Sequence, residues 1–336
     1  MLERRRPRGS VLPALLAGLA LVLAACGGAP APGAEPAAET AAGFPVTVDH
    51  ALGTTEITAP PQRVVSLGYT DQDAILALGI VPVGIREFTG KKPSATWPWA
   101  GALLQGRQPQ VLDGEISLEA IAALDPDLII GVSAGLTQDQ YDSYSQIAPV
   151  VTQPVGDLPF QTGWQDATRI IGQALGRTAD ADRLVNDLEA RFDSVAEEYP
   201  QLAGRTAAVA AVSSVGAGSY FVWSSDDNRG RFLESIGLTV PATFDDLAGE
   251  EFYADISVEQ LGLLDENDVV LWLQIPGTEN ATLEAQPGYP VLQVGQEGRV
   301  LNLTTEQGVA LSFSSVLSLP SLLDTVPGEV AARLGG

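Results

Sequence analysis

The segment GVSAG, residues 131–135, has the G-x-S-x-G pattern that can place a nucleophilic serine on a sharp turn between a strand and a helix. In a hydrolase of that kind an acidic residue and then a histidine follow the serine along the chain. The only histidine here is His50, which precedes Ser133. A serine without a general base has no route to activation, so the sequence disfavours a hydrolase. The segment is more typical of a Gly/Ser loop at the carboxyl end of a strand, where open α/β sheets bind ligands.

Residues that could bind a metal directly are equally scarce. One histidine cannot provide the imidazole set that is usual for zinc, so zinc or manganese binding is disfavoured. The single cysteine, Cys26, excludes a disulfide framework and a CxxC site. Binding of haem remains open as an alternative, because a tyrosine can serve as the axial ligand of its iron. The tyrosines that could do so include Tyr69, Tyr141, Tyr144, Tyr220 and Tyr289.

The amino terminus has the features of an exported lipoprotein. Four arginines within residues 4–8 precede an apolar run, residues 11–23, that is short for a bilayer-spanning helix. The run ends in LAACG, which resembles the bacterial lipobox, with Cys26 as the acylated first residue of the mature protein. We therefore expect a signal peptide over residues 1–25 and a lipid anchor at the outer face of the cytoplasmic membrane. The Ala/Pro/Gly-rich residues 26–43 predict a disordered tether.

The chain is strongly acidic, with a formal net charge of −24. The first 25 residues contain four arginines and one glutamate, so the remainder has 14 basic and 41 acidic residues and a formal charge of −27. Nucleic acids and anionic lipid surfaces need a basic face. The composition therefore predicts neither of them as a partner, and most of the excess charge is explained by solubility.

Strand and helix patterns alternate in two separate parts of the chain. The first set lies within residues 44–160 and the second within residues 204–336, and each predicts a parallel sheet covered by helices. A connecting helical segment, residues 161–203, lies between them. We expect an α/β protein with two Rossmann-like lobes, joined by one long rigid helix, and a ligand cleft between the lobes.

The connecting helix has the strongest helical pattern in the sequence. Between residues 178 and 199 its apolar residues recur at spacings of three and four, which places them on one face. At 1.5 Å per residue this helix would be roughly 30 Å long. Thr178 is the expected N-cap, and Asp187 and Arg191 can pair one turn apart.

One segment occurs in both lobes. ISLEAIAALDPDLIIG in the first lobe returns as ISVEQLGLLDENDVVLWL in the second. Ser117 and Ser257 are the expected N-caps of two short helices, which puts Glu119 and Glu259 in the first turns. The two acids could simply complement the helix dipoles, but their spacing misses the capping box, which needs Glu one residue later. One exposed carboxylate per lobe could instead dock a two-fold partner that has two basic pockets.

The chain resembles the substrate-binding lipoproteins of ferric-siderophore ABC importers. These proteins belong to the helical-backbone class of periplasmic binding proteins (class III), which also contains cobalamin and haem receptors. The stretches that carry the resemblance are VTVDHALGTTEITAPPQRVVSLGYTDQDAILALGIVPVGI (46–85), ATWPWA (95–100), ISLEAIAALDPDLIIG (116–131), GLTQDQYDSYSQIAPVV (135–151), GRFLESIG (230–237), the second ISVEQ segment and ALSFSSVLSLPSLLDTV (310–326). The resemblance implies a monomeric, non-enzymatic receptor without a cofactor, which delivers a ferric siderophore to a dimeric ABC permease through Glu119 and Glu259.

The resemblance also implies that loops at the lobe interface line the ligand cleft. The residues expected to contact the ligand on such loops are Tyr69, Arg86, Trp97, Tyr141, Trp223, Arg231, Trp272, Phe313 and Ser314. Trp99 and Arg229 fall on the same loops. For the tryptophans core packing is the alternative, and Arg231 can equally cap its own helix.

The small number of candidate arginines favours a neutral or cationic hydroxamate complex over a trianionic catecholate complex, which would need a cluster of positive charge. Other functions remain open at this point. They are a cobalamin or haem receptor of the same class, an extracytoplasmic hydrolase, and an adhesion or signalling lipoprotein without a small ligand.

Overall fold

The computed structural model describes residues 43–213, 218–279 and 281–335. These residues all belong to one compact unit. The expected signal peptide, the expected lipidation site Cys26 and the rest of the expected tether up to residue 42 lie outside the described residues. Among the described helices, none combines the length and the apolar character that crossing a bilayer would require.

The strands of the described chain form one hairpin and two five-stranded sheets. Their bounds are β1 (Val46–His50), β2 (Gly53–Ile57), β3 (Val64–Ser66), β4 (Gly84–Arg86), β5 (Gln110–Leu112), β6 (Leu128–Gly131), β7 (Val150–Thr152), β8 (Ala207–Val212), β9 (Ser219–Trp223), β10 (Tyr253–Ser257), β11 (Val269–Trp272) and β12 (Val300–Asn302).

Helices cover both sheets and connect their strands. The α-helices are α1 (Asp71–Ala77), α2 (Pro98–Gly101), α3 (Leu118–Ala122), α4 (Gln138–Tyr144), α5 (Trp164–Ala174), α6 (Thr178–Glu198), α7 (Asn228–Ser235), α8 (Ala242–Ala248), α9 (Gln293–Gln296), α10 (Thr305–Phe313), α11 (Leu319–Leu323) and α12 (Val326–Arg333). Short 3₁₀ segments span Pro93–Ala95, Ala102–Leu104, Pro200–Leu202, Val258–Glu266, Leu283–Ala285 and Tyr289–Val291.

The N-terminal lobe contains a parallel sheet with the strand order β5-β4-β3-β6-β7. Strands β3, β6 and β7 are buried along their whole length, as expected for a parallel sheet with helices on both faces. The strand order reverses between β3 and β6, so a crevice opens at the carboxyl ends of these two strands. The β1–β2 hairpin, which the sequence analysis did not predict, packs beside β7 and α5.

The C-terminal lobe contains a mixed sheet with the order β10-β9-β8-β11-β12. Strands β8, β11 and β12 are parallel, as expected, but β9 is antiparallel to both β8 and β10. The physical reason lies in the connection between β8 and β9, residues 213–218. It is too short for the crossover that parallel neighbours require, so the two strands pair as a hairpin.

Helix α6 connects the two lobes because each end belongs to a different hydrophobic core. Ala181, near its start, packs in the core of the N-terminal lobe with residues of α5. Leu188, Phe192 and Val195, further along, are buried in the core of the C-terminal lobe. The predicted apolar face is therefore confirmed. The residue numbers that divide the two lobes, 44–160, 161–203 and 204–336, stay a prediction.

Two details at the surface of α6 differ from the expectation. Its N-cap is Arg177 and not Thr178, because the Arg177 N–H donates to the Gly172 carbonyl at 2.7 Å as the chain turns out of α5. Arg191 bonds Asp324 of the C-terminal lobe at 2.7 Å and does not pair with Asp187. The arginine thus ties the helix to the segment that follows α11.

A buried carboxylate provides a further contact between the lobes. Asp73, on α1 of the N-terminal lobe, is 1 % exposed. Its Oδ2 accepts one hydrogen bond from Ser315 Oγ, in the loop after α10, and another from Trp99 Nε1 at 2.9 Å. Burial raises the pKa of Asp73 to about 6, and the two hydrogen bonds oppose this rise.

The raised pKa predicts how stability depends on pH. An unfolded chain releases the proton of Asp73 near pH 4 and the folded protein near pH 6, so the contribution of this group to stability falls as the pH rises through that window. Asn at this position cannot titrate. The free energy of unfolding of the wild type, relative to Asp73→Asn, should therefore fall by roughly 2–3 kcal/mol between pH 4 and pH 7.

Urea denaturation at several pH values measures this difference. Asp187→Asn, which changes an exposed carboxylate on α6, is the matched control and should give a difference from the wild type that is nearly independent of pH. If the free energy of unfolding of the wild type, relative to Asp73→Asn, does not change with pH or rises with pH, the raised pKa of Asp73 is contradicted.

Candidate functional site

A cavity of about 310 Å³ lies at the interface of the two lobes. The N-terminal lobe contributes the loops after β3, β6 and β7, together with one face of α5. The C-terminal lobe contributes the start of α7 and the segment in which α10 ends. The cavity therefore includes the crevice between β3 and β6, the position at which α/β sheets bind their ligands. We refer to it below as the cleft.

The polar base of the cleft is built around Asp71, which is 2 % exposed. Its carboxylate accepts hydrogen bonds from the Val132 N–H at 2.8 Å, the Ser133 N–H at 3.0 Å and the Ser133 hydroxyl at 2.7 Å. A side chain at Gly68 would overlap this carboxylate, because an added Cβ would lie 1.9 Å from Asp71 Oδ2. Asp71 thus fixes the loop after β3 to the loop after β6.

The pKa of Asp71 reflects the same contacts. Burial raises it to about 6, while hydrogen bonds from Ser133, Val132 and Gly68 limit the rise. Each carboxylate oxygen already accepts at least one hydrogen bond from the protein. Asp71 is therefore a structural group of the cleft and is poorly placed to coordinate a metal ion.

Aromatic rings form one wall of the cleft. The ring centroids of Tyr69 and Phe88 are 5.1 Å apart, and those of Phe88 and Phe313 are 5.4 Å apart. Phe160 extends this row, with its centroid 6.1 Å from that of Tyr69. Such a wall offers a broad apolar surface to an organic ligand.

Arg86 supports this wall from the end of β4. Its guanidinium carbon lies 4.1 Å from the centroid of the Tyr69 ring, and its Nη2 donates to the Tyr69 hydroxyl at 2.8 Å. Among the described residues no carboxylate lies within ion-pair distance of Arg86. The cleft therefore has an uncompensated positive charge behind Tyr69.

A paired arginine lies on the opposite side of the cleft. Arg229 Nη1 is 3.0 Å from Asp227 Oδ1 and 3.1 Å from Oδ2, and both side chains are largely buried. The guanidinium also lies over the Trp223 ring, 4.5 Å from its centroid. Asp227 is the N-cap of α7 and accepts the Arg229 N–H at 2.8 Å. One carboxylate therefore caps the helix and neutralises the arginine.

Phe160 and Gly135 fit together at the mouth of the cleft. Phe160 has φ 68° and Gly135 has φ 61°, so both adopt the left-handed region that favours glycine. A Cβ at position 135 would lie 2.2 Å from Phe160 Cζ. The absence of a side chain at Gly135 is thus what lets the aromatic ring lie against the loop after β6. Strain of this kind tends to concentrate at functional sites.

Three of the predicted ligand contacts line the cleft, namely Tyr69, Phe313 and Ser314. Arg86 and Trp223 do not line it but contact Tyr69 and Arg229, which do. The role of all five residues in binding stays a prediction.

The other four predicted contacts are not among the residues that line the cleft. Trp97 is buried behind it, in one cluster with Phe313, and Trp272 is fully buried on β11 beside Tyr220. Tyr141 packs against His50. Arg231 lines an adjoining cavity, and its Nη1 donates to the Gln161 carbonyl at 2.6 Å.

The two tryptophans have the core packing that the sequence analysis gave as their alternative. The role of all four residues in binding also stays a prediction.

Several residues that line the cleft were not predicted. They include Phe88, Phe160, Trp164, Asp71 and Asp227. Asp71 and Asp227 each lie at the start of a helix. Acids are common there for capping alone, so the position in the sequence does not distinguish them as residues of a ligand cleft. Phe160 lies in a loop whose conformation depends on Gly135, a contact that periodicity cannot predict.

The structure also shows how the G-x-S-x-G segment is used. The Ser133 hydroxyl donates to Asp71 and accepts from the Thr70 N–H and the Thr70 hydroxyl, so its hydrogen-bonding capacity is filled. His50 is 2 % exposed, and both of its ring nitrogens lie 3.0 Å from threonine hydroxyls, those of Thr55 and Thr152. Burial lowers the pKa of His50. The geometry therefore gives Ser133 no histidine base.

The described residues also contain no group of three or more His, Cys, Asp or Glu side chains that could hold a metal ion.

The repeated acids are exposed on the surface of each lobe. Glu119 lies in the first turn of α3 and Glu259 in the 3₁₀ segment Val258–Glu266. Hydrogen bonds from its own N–H and from Ser117 lower the pKa of Glu119, and bonds from Ser257 and its own N–H lower that of Glu259. Both acids are therefore fixed negative charges.

Helix capping differs between the two copies. Ser117 is the N-cap expected from the sequence, and its hydroxyl accepts the Ala120 N–H at 3.1 Å. The second copy does form a capping box. Gln260 lies at the third helical position, where a capping box has Glu or Gln, and its side chain accepts the Ser257 N–H at 3.1 Å. Glu259 itself lies outside this box, so the expectation that the spacing of the acids misses a capping box is confirmed, and Gln260 completes the box in its place.

The fold and cleft identify the class of the protein. Two α/β lobes that share one long helix, with a cleft between their sheets, are the architecture of class III periplasmic binding proteins. Residues 64–306 match the family model described as periplasmic binding protein, and the chain belongs to this family of substrate-binding proteins.

Two relatives whose names state a ligand match part of the chain. The Fe(3+) dicitrate-binding periplasmic protein FecB of Escherichia coli (strain K12) is 30% identical over 221 residues, which are 65% of this chain and 68% of that protein. The protein named Probable siderophore-binding lipoprotein YfiY of Bacillus subtilis (strain 168) is 30% identical over 201 residues. That match spans 58% of this chain and 57% of YfiY.

Solved structures match the chain over a greater length. A periplasmic solute-binding protein of Mycobacterium smegmatis is 37% identical with a TM-score of 0.77, covering 86% of this chain and 99% of that one. PiaA of Streptococcus pneumoniae TIGR4, in complex with ferrichrome, is 25% identical with a TM-score of 0.71 and the same coverage.

The fit of Phe160 against Gly135 yields a test by double substitution. Gly135→Ala should reduce the free energy of unfolding by about 2–3 kcal/mol, because Ala is strained at this φ and its methyl group overlaps the ring. In a Phe160→Ala background the overlap is absent, and the same change should cost only about 1 kcal/mol. Urea denaturation of the wild type, Gly135→Ala, Phe160→Ala and the double variant measures both costs. Equal costs in the two backgrounds would show that the ring does not depend on Gly135.

Proposed function

We propose that the protein is an extracytoplasmic receptor that captures a ferric siderophore and delivers it to an ABC importer, without being an enzyme. The observation that carries this proposal is the cleft between the lobes, which offers an aromatic wall and a hydrogen-bonded base but no set of metal ligands among the described residues. Such a site suits an organic shell around iron that its chelator has already saturated.

The relatives support the same ligand class. FecB is described as binding Fe(3+) dicitrate, and PiaA is described in complex with ferrichrome, so both bind iron that is held in a chelate. The saturated hydroxyl of Ser133 argues against the alternative of an extracytoplasmic hydrolase.

The sequence supports attachment to a membrane by lipid. In this proposal residues 1–25 are a signal peptide, Cys26 is acylated at the outer face of the cytoplasmic membrane, and residues 26–43 are a tether. The protein acts as a monomer on this anchor and has no nucleic-acid partner, in keeping with its acidic composition.

Glu119 and Glu259 are the proposed contacts with the permease. Each lobe presents one of them, both are exposed, and hydrogen bonds keep both ionised. Exposed charges contribute little to stability, but they set the orientation in which two proteins meet. A permease dimer with one basic pocket per subunit would match this pair.

Quenching of tryptophan fluorescence tests the ligand class, since Trp164 lines the cleft. Titration of the purified protein with ferric hydroxamates, ferric catecholates, cobalamin and haem should show saturable quenching, with micromolar or tighter affinity, by a ferric chelate. Trp164→Phe should reduce the quenching amplitude and change the affinity less. Binding of haem or cobalamin alone would replace the proposed ligand, and binding of none of the four would favour a hydrolase or an adhesion protein.

Charge reversal tests the docking role. Glu119→Arg combined with Glu259→Arg should abolish uptake of the radiolabelled ferric chelate by cells that have this variant as the sole copy. Ligand affinity in vitro should stay within about twofold, because neither acid lines the cleft. Asp187→Arg combined with Glu197→Arg makes the same change of charge on exposed residues of α6 and should leave uptake intact. Undiminished uptake by the first variant would leave the two acids only an interaction with the helix dipoles.

A further inference from the structure

The cleft of this protein has a nearly balanced set of charges. Its lining contains three ionisable acidic or basic side chains, Asp71, Asp227 and Arg229. Arg86 adds a second positive charge from behind Tyr69. With two carboxylates and two guanidinium groups, this part of the structure provides no net positive charge to a ligand.

The arginine nearest to the ligand space is already engaged. Both oxygens of Asp227 contact Arg229 Nη1, at 3.0 and 3.1 Å, and the Trp223 ring covers one face of the guanidinium. The pair is largely buried, with side-chain exposures of 15% for Arg229 and 6% for Asp227. Because a buried pair is screened little by solvent, Asp227 cancels most of the attraction that Arg229 would exert on an anion.

The third arginine that could have joined them, Arg231, is not among the residues that line the cleft. It lines an adjoining cavity that shares Trp164 and Ser314 with the cleft. There its Nη1 donates to the Gln161 carbonyl, and the carboxylate of Glu234 lines the same cavity. Arg231 therefore adds little net positive charge to the cleft. The net charge of −24 adds a repulsion of any anion that approaches from solvent.

From these charges we propose that the cleft selects ferric chelates without net charge, as formed by three hydroxamate groups, over strongly anionic chelates such as tris-catecholates and citrate complexes. This selectivity rests on the proposed function. Three hydroxamates cancel the charge of ferric iron, whereas three catecholates leave three negative charges. An anion moved from water into this cleft would lose its hydration without gaining a net counter-charge from the two carboxylates and two guanidinium groups together, while a neutral chelate avoids that cost.

The neutral chelate would be held by the remaining features of the cleft. Its apolar arms contact the row formed by Tyr69, Phe88 and Phe313. A polar carbonyl group of the chelate can accept a hydrogen bond from the Tyr69 hydroxyl, which accepts from Arg86 Nη2 and keeps its own hydrogen for a further acceptor.

Asp227 determines this selectivity and offers a sharp test. Asp227→Asn removes the charge that cancels Arg229 but keeps an N-cap of nearly equal quality for α7, so the fold should be retained. The probes are two neutral tris-hydroxamates, ferrichrome and ferric coprogen, and two anionic chelates, ferric enterobactin and ferric dicitrate. Titration calorimetry and fluorescence quenching of the purified protein measure the affinities.

The wild type should bind a neutral probe at least about 100-fold more tightly than either anionic probe. Asp227→Asn should strengthen binding of an anionic probe about tenfold relative to a neutral probe, with an anionic affinity that falls as salt is added. Anionic binding by the wild type that equals or exceeds neutral binding overturns the charge selectivity and leaves the receptor function standing. The charge selectivity is also overturned if Asp227→Asn changes the affinities for neutral and for anionic chelates by the same factor. Binding of none of the four probes contradicts the receptor function itself.

Discussion

The cleft depends on a buried carboxylate that joins two loops of the same sheet. Asp71 starts the helix after β3 and accepts three hydrogen bonds from residues 132 and 133 after β6. Both loops lie where the strand order reverses, which is where the sheet opens to a ligand. The position of Tyr69 and the row of aromatic rings follow from that junction. Burial of a carboxylate is costly, and it is tolerated here because every oxygen finds a donor.

The frame around the cleft leaves little freedom between the lobes. Helix α6 places Ala181 in one hydrophobic core and Leu188 in the other, so a hinge within the helix would disrupt packing in both. Asp73 and Ser315 add a buried hydrogen bond across the interface. A site whose two walls are joined in this way loses less of the binding energy in ordering the protein than a site on two freely moving lobes.

The sequence predicted those features that depend on local periodicity. The two α/β lobes, the apolar face of α6 and the N-cap Ser117 follow from spacings of a few residues and agree with the structure. The antiparallel β9 follows from the short connection after β8, and the alternation of strands and helices alone does not reveal it. The β1–β2 hairpin and the Asp227–Arg229 pair depend on which of several equal partners a strand or a side chain pairs with. The burial of Trp272 belongs to the same group. Its residue type fits a cleft wall and a core equally well, and only the tertiary packing decides between them.

The contact between Gly135 and Phe160 has a consequence for how such clefts diversify. The ring occupies the space that a side chain at position 135 would need, so a change at one position alters the cost of a change at the other. A lineage that first shortens the residue at position 160 can replace Gly135 at a lower cost than a lineage that keeps the large ring. The shape of the cleft mouth therefore varies in coupled steps, and the order in which the two substitutions arise is constrained by the volume of a single aromatic ring.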